Sequence, residues 1–498
     1  MSAFLQGFSS VMAPQVLLIM IFGVIVGIIG GALPGVSGAM TMALFLPMSY
    51  GMNPTEAISM LVAIYIGAMS GGLISAILLS IPGTPASVAT TFDGAPMAAK
   101  GEAAKALGVA IVFSFLGGLF GILMLIGIAP ELVRITIQFS YYEYFAVGIF
   151  SLTIISAVGK KSVLKSFIGA VIGIFFSFIG RSATSPFPRY TLGITSLNAG
   201  FAILDLMIAF YAITQIFDAA FTRDDQIEGT VLNYGRIEGF GFSMREFKSQ
   251  LGNALYAACI GTGIGILPGT GGGVSCIAAY AAVRNRSKYP EKFGTGIIDG
   301  IVASETANNA TVGGALIPLM TLGIPGDNAT AILLAAFMVQ GISPGPMLFE
   351  KNGALVYSIF AACVVCHFIF LAIECYGLRI FVKILKIERH TLLAVISAVC
   401  IVGAFTINNR LFDIWIVLIF GVLGYVLEKM DFSLVTVIIG FILGPIIEEN
   451  FCRGMQRSLG DFSKFVTDSP IAVVIYLVTV LVIGMKIYQN RKRKVSGT

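Results

Sequence analysis

The sequence predicts an all-α, polytopic integral membrane protein made of two inverted-topology repeats, with broken helices, re-entrant hairpins and about 11 crossings. Three observations predict it. Of 498 residues, 57% are hydrophobic and 11% charged, against about 25% charged in a soluble domain. No soluble core of this size hides so much apolar surface. Apolar stretches of about 20 residues, enough to span a bilayer, recur along the chain. The stretch "GALPGVSG" (31–38) also has a second copy, "GILPGTGG" (265–272), 268 − 34 = 234 positions further on.

The elements follow in order. Crossings are expected near 56–81, 104–128, 143–159, 162–180 and 198–221. A polar connector with Arg223, Asp224, Asp225, Glu228 and Arg236 comes next. Six more crossings are expected near 294–325, 354–377, 391–407, 412–427, 432–448 and 470–488. The Pro-Gly segments 16–48 and 250–283 each have an apolar arm, a break and a shorter arm, and read as re-entrant hairpins. Membrane repeat 1 is therefore expected over 1–221, a cytoplasmic connector over 222–249 and membrane repeat 2 over 250–448. Residues 449–498 hold a loop, an extra crossing and the tail "RKRK". The first residues, "MSAFLQGFSSVMAPQ", lack a basic n-region, so no cleaved signal peptide is expected.

Charge placement sets the orientation. If the Pro-Gly segments turn back, the loops around Lys100/Lys105, Lys160/Lys161/Lys165, 222–249, 284–292 and Arg379–Arg389, with the tail, all fall on one side. By the positive-inside rule that side is cytoplasmic. The N-terminus is then outside and the C-terminus inside. Loop 449–469 is the exception, with Arg453, Arg457 and Lys464 outside. The halves have opposite bias. "PMSYGMNPTEA" has no basic residue where its partner is "RNRSKYPEK", and "AAKGEAAKA" is basic where its partner "PMLFEKNG" is balanced. Inverted repeats of this kind are common in secondary transporters.

Each half carries a second break, "SIPGTPASVATTFDGAP" (80–96) and "GIPGDNATAILLAAFMVQGISPG" (323–345), behind Gly71/Gly72 and Gly313/Gly314. A break frees backbone groups that lipid cannot satisfy, so it is tolerated only against protein or a water-filled cavity. Thr84-Pro85, Ser37, Thr270 and Asp327-Asn328 read as N-caps of new half-helices. A half-helix N-terminus at mid-membrane presents free N–H groups and a positive dipole end, which suits a carboxylate. The candidate substrate-binding residues are Pro34, Gly35, Ser37 and Gly38; Pro82, Gly83, Thr84 and Ser87; Pro268, Gly269, Thr270 and Gly271; and Pro325, Gly326 and Asn328. Close helix packing and plain capping would account for any one break alone. Four breaks in two matched pairs ask for more.

"SETANNAT" (304–311) lies on an expected crossing whose counterpart, "VAIYIGAM", is nearly all apolar. Ionisable residues inside a membrane are costly and usually face a cavity or a partner. Glu305, Asn308, Asn309 and Asp327 are the candidate coupling-ion residues; capping alone would also explain Asp327. Asp93 and Asp299 are expected near membrane boundaries. No Lys or Arg falls within a break motif. Of the seven cysteines, Cys363 and Cys366 form a C-x-x-C beside His367, read as apolar packing. There is no Walker A, no Ser-His-Asp set and no zinc spacing. No enzyme, resident cofactor, structural metal or nucleic-acid partner is expected.

The motifs "GIIGGALPGVSG", "GTGIGILPGTGGG", "SIPGTPASVATTFDGAPMA" and "GIPGDNATAILLAAFMVQG", in this order, resemble the large membrane subunit of the bacterial tripartite tricarboxylate transporters (TctA-like), over nearly the whole chain. The resemblance implies cation-coupled uptake of carboxylates such as citrate across the bacterial inner membrane. It implies a small four-helix membrane subunit (TctB-like) and a periplasmic solute-binding protein (TctC-like). It leaves open which carboxylate is carried and whether sodium or protons drive it. The alternative is a stand-alone secondary transporter or exporter of small organic acids.

Overall fold

The computed structural model describes residues 2–34, 36–158, 163–182, 184–221, 241–384, 394, 397–398, 400–405 and 409–495. A short helix, α1 (Ser2–Val11), precedes α2 (Pro14–Ala32), which begins on a proline. There the missing N–H costs nothing. After the Pro34 break, α3 (Gly38–Phe45) restarts behind Ser37, whose hydroxyl accepts from the Met40 N–H at 3.0 Å. A 3-10 turn (Leu46–Gly51) leads to α4 (Pro54–Leu78), fixed at its start by a reciprocal Asn53–Glu56 capping box. The second break follows. Then come a 3-10 turn (Pro85–Ser87), α5 (Val88–Met97), a π-helical turn (Ala98–Glu102) and α6 (Ala103–Thr136).

The chain continues through α7 (Tyr141–Val158) and α8 (Val163–Ser177). The all-α expectation then needs one correction. Gly180–Ser182 (β1) and Ser185–Arg189 (β2) pair as a small antiparallel hairpin. Pro186 and Pro188 explain why this loop makes no helix, since proline removes donors and fixes φ. The helices α9 (Ile203–Ile208) and α10 (Thr214–Phe221) flank a π-helical turn (Ala209–Ile213).

The second half repeats the order of the first. It runs α11 (Met244–Gly265), the Pro268 break, α12 (Gly271–Arg286), α13 (Ile298–Leu322), the Pro325 break and α14 (Asn328–Val339). Both α4 and α13 have 25 residues. Then follow α15 (Pro346–Lys351), α16 (Gly353–Ile384), α17 (Leu411–Lys429), α18 (Leu434–Arg457), α19 (Lys464–Thr467) and α20 (Pro470–Val495).

This is a helical membrane protein. Among the described residues six helical stretches are long and apolar enough to cross a bilayer: Pro14–Ala32, Pro54–Leu78, Pro85–Thr136, Gly353–Gly377, Leu411–Lys429 and Leu434–Arg457. Val163–Ser177, Asn328–Val339 and Pro470–Gly484 are shorter apolar helices. The expected crossing 391–407 falls largely outside the described residues, as does most of the connector.

The chain divides into two compact units, Met1–Val133 with Gln215–Ile407, and Arg134–Thr214 with Asn408–Thr498. Each draws on both sequence halves. In the first unit α2 packs on α4, and α11 on α13. Small residues let these backbones touch. A Cβ on Gly31 would lie 2.2 Å from the Ala68 carbonyl oxygen, and one on Gly314 2.5 Å from that of Thr262. In the second unit α7 and α8 pack on α18, and α20 on α7. Phe176, Phe201 and Phe210 set their rings edge-on around Phe420. There Arg189 of the hairpin grips Glu448 with both terminal nitrogens, at 2.6 and 3.0 Å.

Candidate functional site: four helix breaks around a buried polar cluster

The site lies within the first unit. Each half first packs its two breaks on one another. A Cβ on Gly83 would meet the Gly31 carbonyl oxygen at 2.1 Å, and one on Gly326 would meet the Gly265 carbonyl oxygen at 2.8 Å. The Ile-Pro-Gly glycine of each half thus sits on a glycine in the last turn of the helix before the Leu-Pro-Gly break.

The halves then cross. The start of α12 packs on the Pro85–Ser87 turn, and α14 packs on α3. A Cβ on Gly273 would stand 3.0 Å from the Pro85 carbonyl oxygen, and one on Gly272 2.9 Å from the Ala86 Cβ. The far ends of the half-helices dock in the same crossed sense. Asp93 near the end of α5 accepts from the backbone N–H groups of Gly294, Gly296 and Ile297, at 2.9, 2.8 and 3.0 Å, and from the Tyr280 hydroxyl at 2.9 Å. Gln340, just past α14, donates to the Ser49 carbonyl at 2.6 Å. Four donors on one buried carboxyl make Asp93 a clamp on the loop before α13. Asp299 accepts from Gln250 and Asn253 of α11, at 3.1 and 3.0 Å.

Two of the four expected caps form. Ser37 caps α3. Asp327 caps α14, its Oδ1 accepting from the Thr330 N–H at 2.8 Å. The Thr270 hydroxyl instead donates back to the Ile264 and Leu267 carbonyls, at 2.6 and 2.9 Å. It serves the orphan acceptors at the end of α11, because Gly269 and Gly271, with φ of 75° and 62°, turn the chain there. At the 3-10 turn the roles reverse. Thr84 donates its N–H to the Ser87 hydroxyl at 3.2 Å, leaving the buried Thr84 Oγ1 without a partner. Pro85 does take the first position of the turn. Asn328 is half-buried at the first residue of α14. Gly35 lies outside the described residues.

The polar cluster on α13 is buried throughout. Glu305 accepts from the hydroxyls of Thr90 on α5 and Ser114 on α6, the latter at 2.9 Å. Asn308 donates to the Met69 carbonyl at 3.0 Å. Its Oδ1 has no donor, and a Cβ on Gly272 would lie 2.7 Å from it, so it faces the start of α12. Asn309 donates to the Glu305 carbonyl at 3.1 Å, and its Oδ1 is also buried and unpartnered. Thr311 and Ser275 share a hydrogen bond of 2.6 Å that ties α13 to α12. Asp327 gains a second anchor, the Tyr65 hydroxyl, which donates to Oδ2 at 2.5 Å.

Tyr65, Thr90 and Ser114 escape sequence reading because each is an ordinary residue on an apolar helix, joined to its carboxylate by contacts across 191 to 262 positions. Glu374 is different. It is a lone acid in "HFIFLAIEC", and the rule for intramembrane charges applies to it as to Glu305. It is fully buried, with the Ser70 hydroxyl donating to Oε2 at 2.8 Å. Cys363 and Cys366 are free, buried thiols, as apolar packing requires. Among the described residues no group of three or more His, Cys, Asp or Glu side chains is placed to hold a metal ion.

Hydroxyls, amide oxygens, carboxyls and half-helix ends thus converge without a Lys or Arg among the described partners of Glu305, Asp327 or Glu374. Comparison with known proteins matches the model of the tripartite tricarboxylate transporter TctA family to residues 17–439. An uncharacterized 52.8 kDa protein in the TAR-I ttuC' 3' region of Agrobacterium vitis is 33% identical over 466 residues, covering 94% of this chain and 92% of that one. An uncharacterized protein in the TAR-II ttuC' 3' region of the same organism is 37% identical over 212 residues, 43% of this chain and 87% of its own. No solved structure matches the chain.

Proposed function

The chain belongs to the tripartite tricarboxylate transporter TctA family, and on that footing we propose that it is a cation-coupled secondary transporter importing small organic anions, di- and tricarboxylates such as citrate. A periplasmic solute-binding protein delivers the anion, and a small membrane subunit completes the complex in the bacterial inner membrane. The observation that carries this reading is the crossed packing of the four breaks beside a buried polar cluster. Half-helix N-termini receive the carboxylate. Glu305, Asn308 and Asn309, on a stretch whose first-half counterpart is nearly all apolar, hold the coupling ion together with Asp327.

The repeated order of elements and the two crossed contacts support inverted repeats, with the site at their interface. In that arrangement the chain makes eleven crossings, with a periplasmic N-terminus and a cytoplasmic C-terminus. One helix bundle moves against a scaffold to alternate access.

The test is uptake of labelled citrate and other di- and tricarboxylates into vesicles holding the complex and its binding protein, under separate sodium and pH gradients. Glu305→Gln and Asp327→Asn keep side-chain size but remove charge. Each is expected to weaken ion dependence by about tenfold or more while binding-protein docking stays within about twofold. Wild-type ion and pH dependence in both variants would sink the coupling role of these acids.

A further inference from the structure

Neither Glu374 nor His367, on one face of α16, is among the substrate or ion residues assigned above. These residues are seven apart, so they share one side of the helix two turns from each other. Both are fully buried. One oxygen of Glu374 takes the Ser70 hydroxyl; the other, Oε1, has no partner. The His367 Nδ1 lies 2.8 Å from the Cys363 carbonyl oxygen. A carbonyl only accepts, so Nδ1 carries the hydrogen, and in the neutral ring Nε2 then holds the lone pair. That lone pair also lacks a partner. It points at Gly118 of α6, where a Cβ would come within 1.9 Å of it. Gly118 is one turn beyond Ser114, the donor to Glu305. The α16 face and the α13 cluster therefore border the same stripe of α6.

Among the described residues, no charged side chain is placed to neutralise these groups. The helices α1 and α2, packed on α16, carry no titratable side chain. The third, α4, has only Glu56 at its start and Tyr65, which is committed to Asp327. The short α15 brings Glu350 and Lys351, placed before the first turn of α16. On α6 no charged residue lies between Lys105 and Glu131, and α13 offers only Asp299 and Glu305. On α16 itself Cys363 and Cys366 are neutral thiols beside His367, and Cys375 follows Glu374. A bare carboxylate in such surroundings is costly. Each of these two buried acceptors lacks a donor, and a proton can satisfy either one alone. A metal cation needs several ligands at once, whereas a proton needs one acceptor. No metal-holding group occurs among the described residues.

We propose that this face of α16 takes up a coupling proton alongside the ion residues Glu305 and Asp327, with Glu374 Oε1 as the atom that binds it. The proposal rests on the importer reading above and narrows its cation to a proton. Binding forms an O–H bond on Oε1 and neutralises the carboxylate. Release breaks that bond and returns the proton to water on the other side. His367 Nε2 is the second acceptor on the same face.

The experiment uses the full complex with its binding protein in vesicles, citrate as substrate and a trapped pH-sensitive dye. In wild type, citrate uptake carries protons inward, and each coupled proton allows about a tenfold concentration ratio per unit of pH difference. Glu374→Gln should lose that gradient-driven accumulation and the dye signal by about tenfold or more. Citrate–citrate exchange at equal pH, which needs no net proton movement, should fall far less. Proton entry and accumulation like wild type in Glu374→Gln would overturn the proposal. So would an equal loss of exchange and accumulation, which would make Glu374 a structural residue. Wild-type uptake driven by sodium without proton entry would overturn the proposal and leave the importer reading standing. Absence of citrate or other carboxylate uptake in wild type would remove the importer reading, and the proposal with it.

Discussion

Replacing Gly83 by alanine tests whether backbone contact between paired breaks holds the site together. The new Cβ would lie 2.1 Å from the Gly31 carbonyl oxygen and 2.5 Å from the Ser75 hydroxyl, where ordinary contact begins at 3.4 Å. The serine can rotate away. The carbonyl cannot, because it belongs to the end of α2, so the two backbones must part by about 3.4 − 2.1 = 1.3 Å. Overpacking of this kind costs about 1–3 kcal/mol, and the displaced segment is the turn that carries Thr84 and Ser87. Gly326→Ala should behave alike but more mildly. Its nearest backbone neighbour, the Ala315 Cα, stands at 2.6 Å, so about 3.4 − 2.6 = 0.8 Å suffices. Gly263→Ala in α11 is the control. Nothing lies within 4 Å of its Cβ, and alanine in a helix gains about 0.5–1 kcal/mol over glycine. The assay pairs thermal melting of the purified complex with citrate uptake in vesicles. The expected order of both is Gly263→Ala, then Gly326→Ala, then Gly83→Ala. Melting and uptake of Gly83→Ala equal to the control would refute the close approach.

Two further outcomes follow from single side chains. Asp93→Ala strips the acceptor from three backbone N–H groups and a tyrosine hydroxyl. It should cost on the order of 3–5 kcal/mol and lower the yield of folded protein; a normal melting temperature would show that the clamp is dispensable. Glu246, in the first turn of α11 and outside the spanning segments, is held down to about 2 by the Lys105 ammonium first and by the Ser243 N–H and hydroxyl next. A carboxyl lowered in the folded state adds stability above its ordinary value of 4.5 and loses it as pH falls from there toward about 2. Both side chains are partly exposed, so the gain is at most about 1 kcal/mol. Melting of Lys105→Met should therefore fall less steeply than wild type over that acid range; identical slopes would show that the pair adds nothing.

Composition and punctuation were enough to read the membrane class, the broken helices and the order shared by the two halves. Apolar length and Pro-Gly breaks are local, and each constrains the backbone wherever the rest of the chain goes. The polar run 304–311 was legible for the same reason, since a carboxyl in an apolar helix is costly in any fold. The partners were not legible. Nothing in the sequence joins Glu305 to Thr90 and Ser114, Asp327 to Tyr65 or Glu374 to Ser70, because these bonds exist only once α13 meets α5 and α6, and α4 meets α14 and α16. The caps divided along the same line. Ser37 and Asp327 bond to residues three positions on, so their chemistry is local. Thr270 had a choice between the helix ahead and the unpaired carbonyls behind, and the glycine turn at 269–271 decided it. Asp93 shows the remaining limit. Its place near the end of a half-helix suggests a boundary residue, and only the return of the chain some 200 positions later supplies the three N–H groups that make it a clamp.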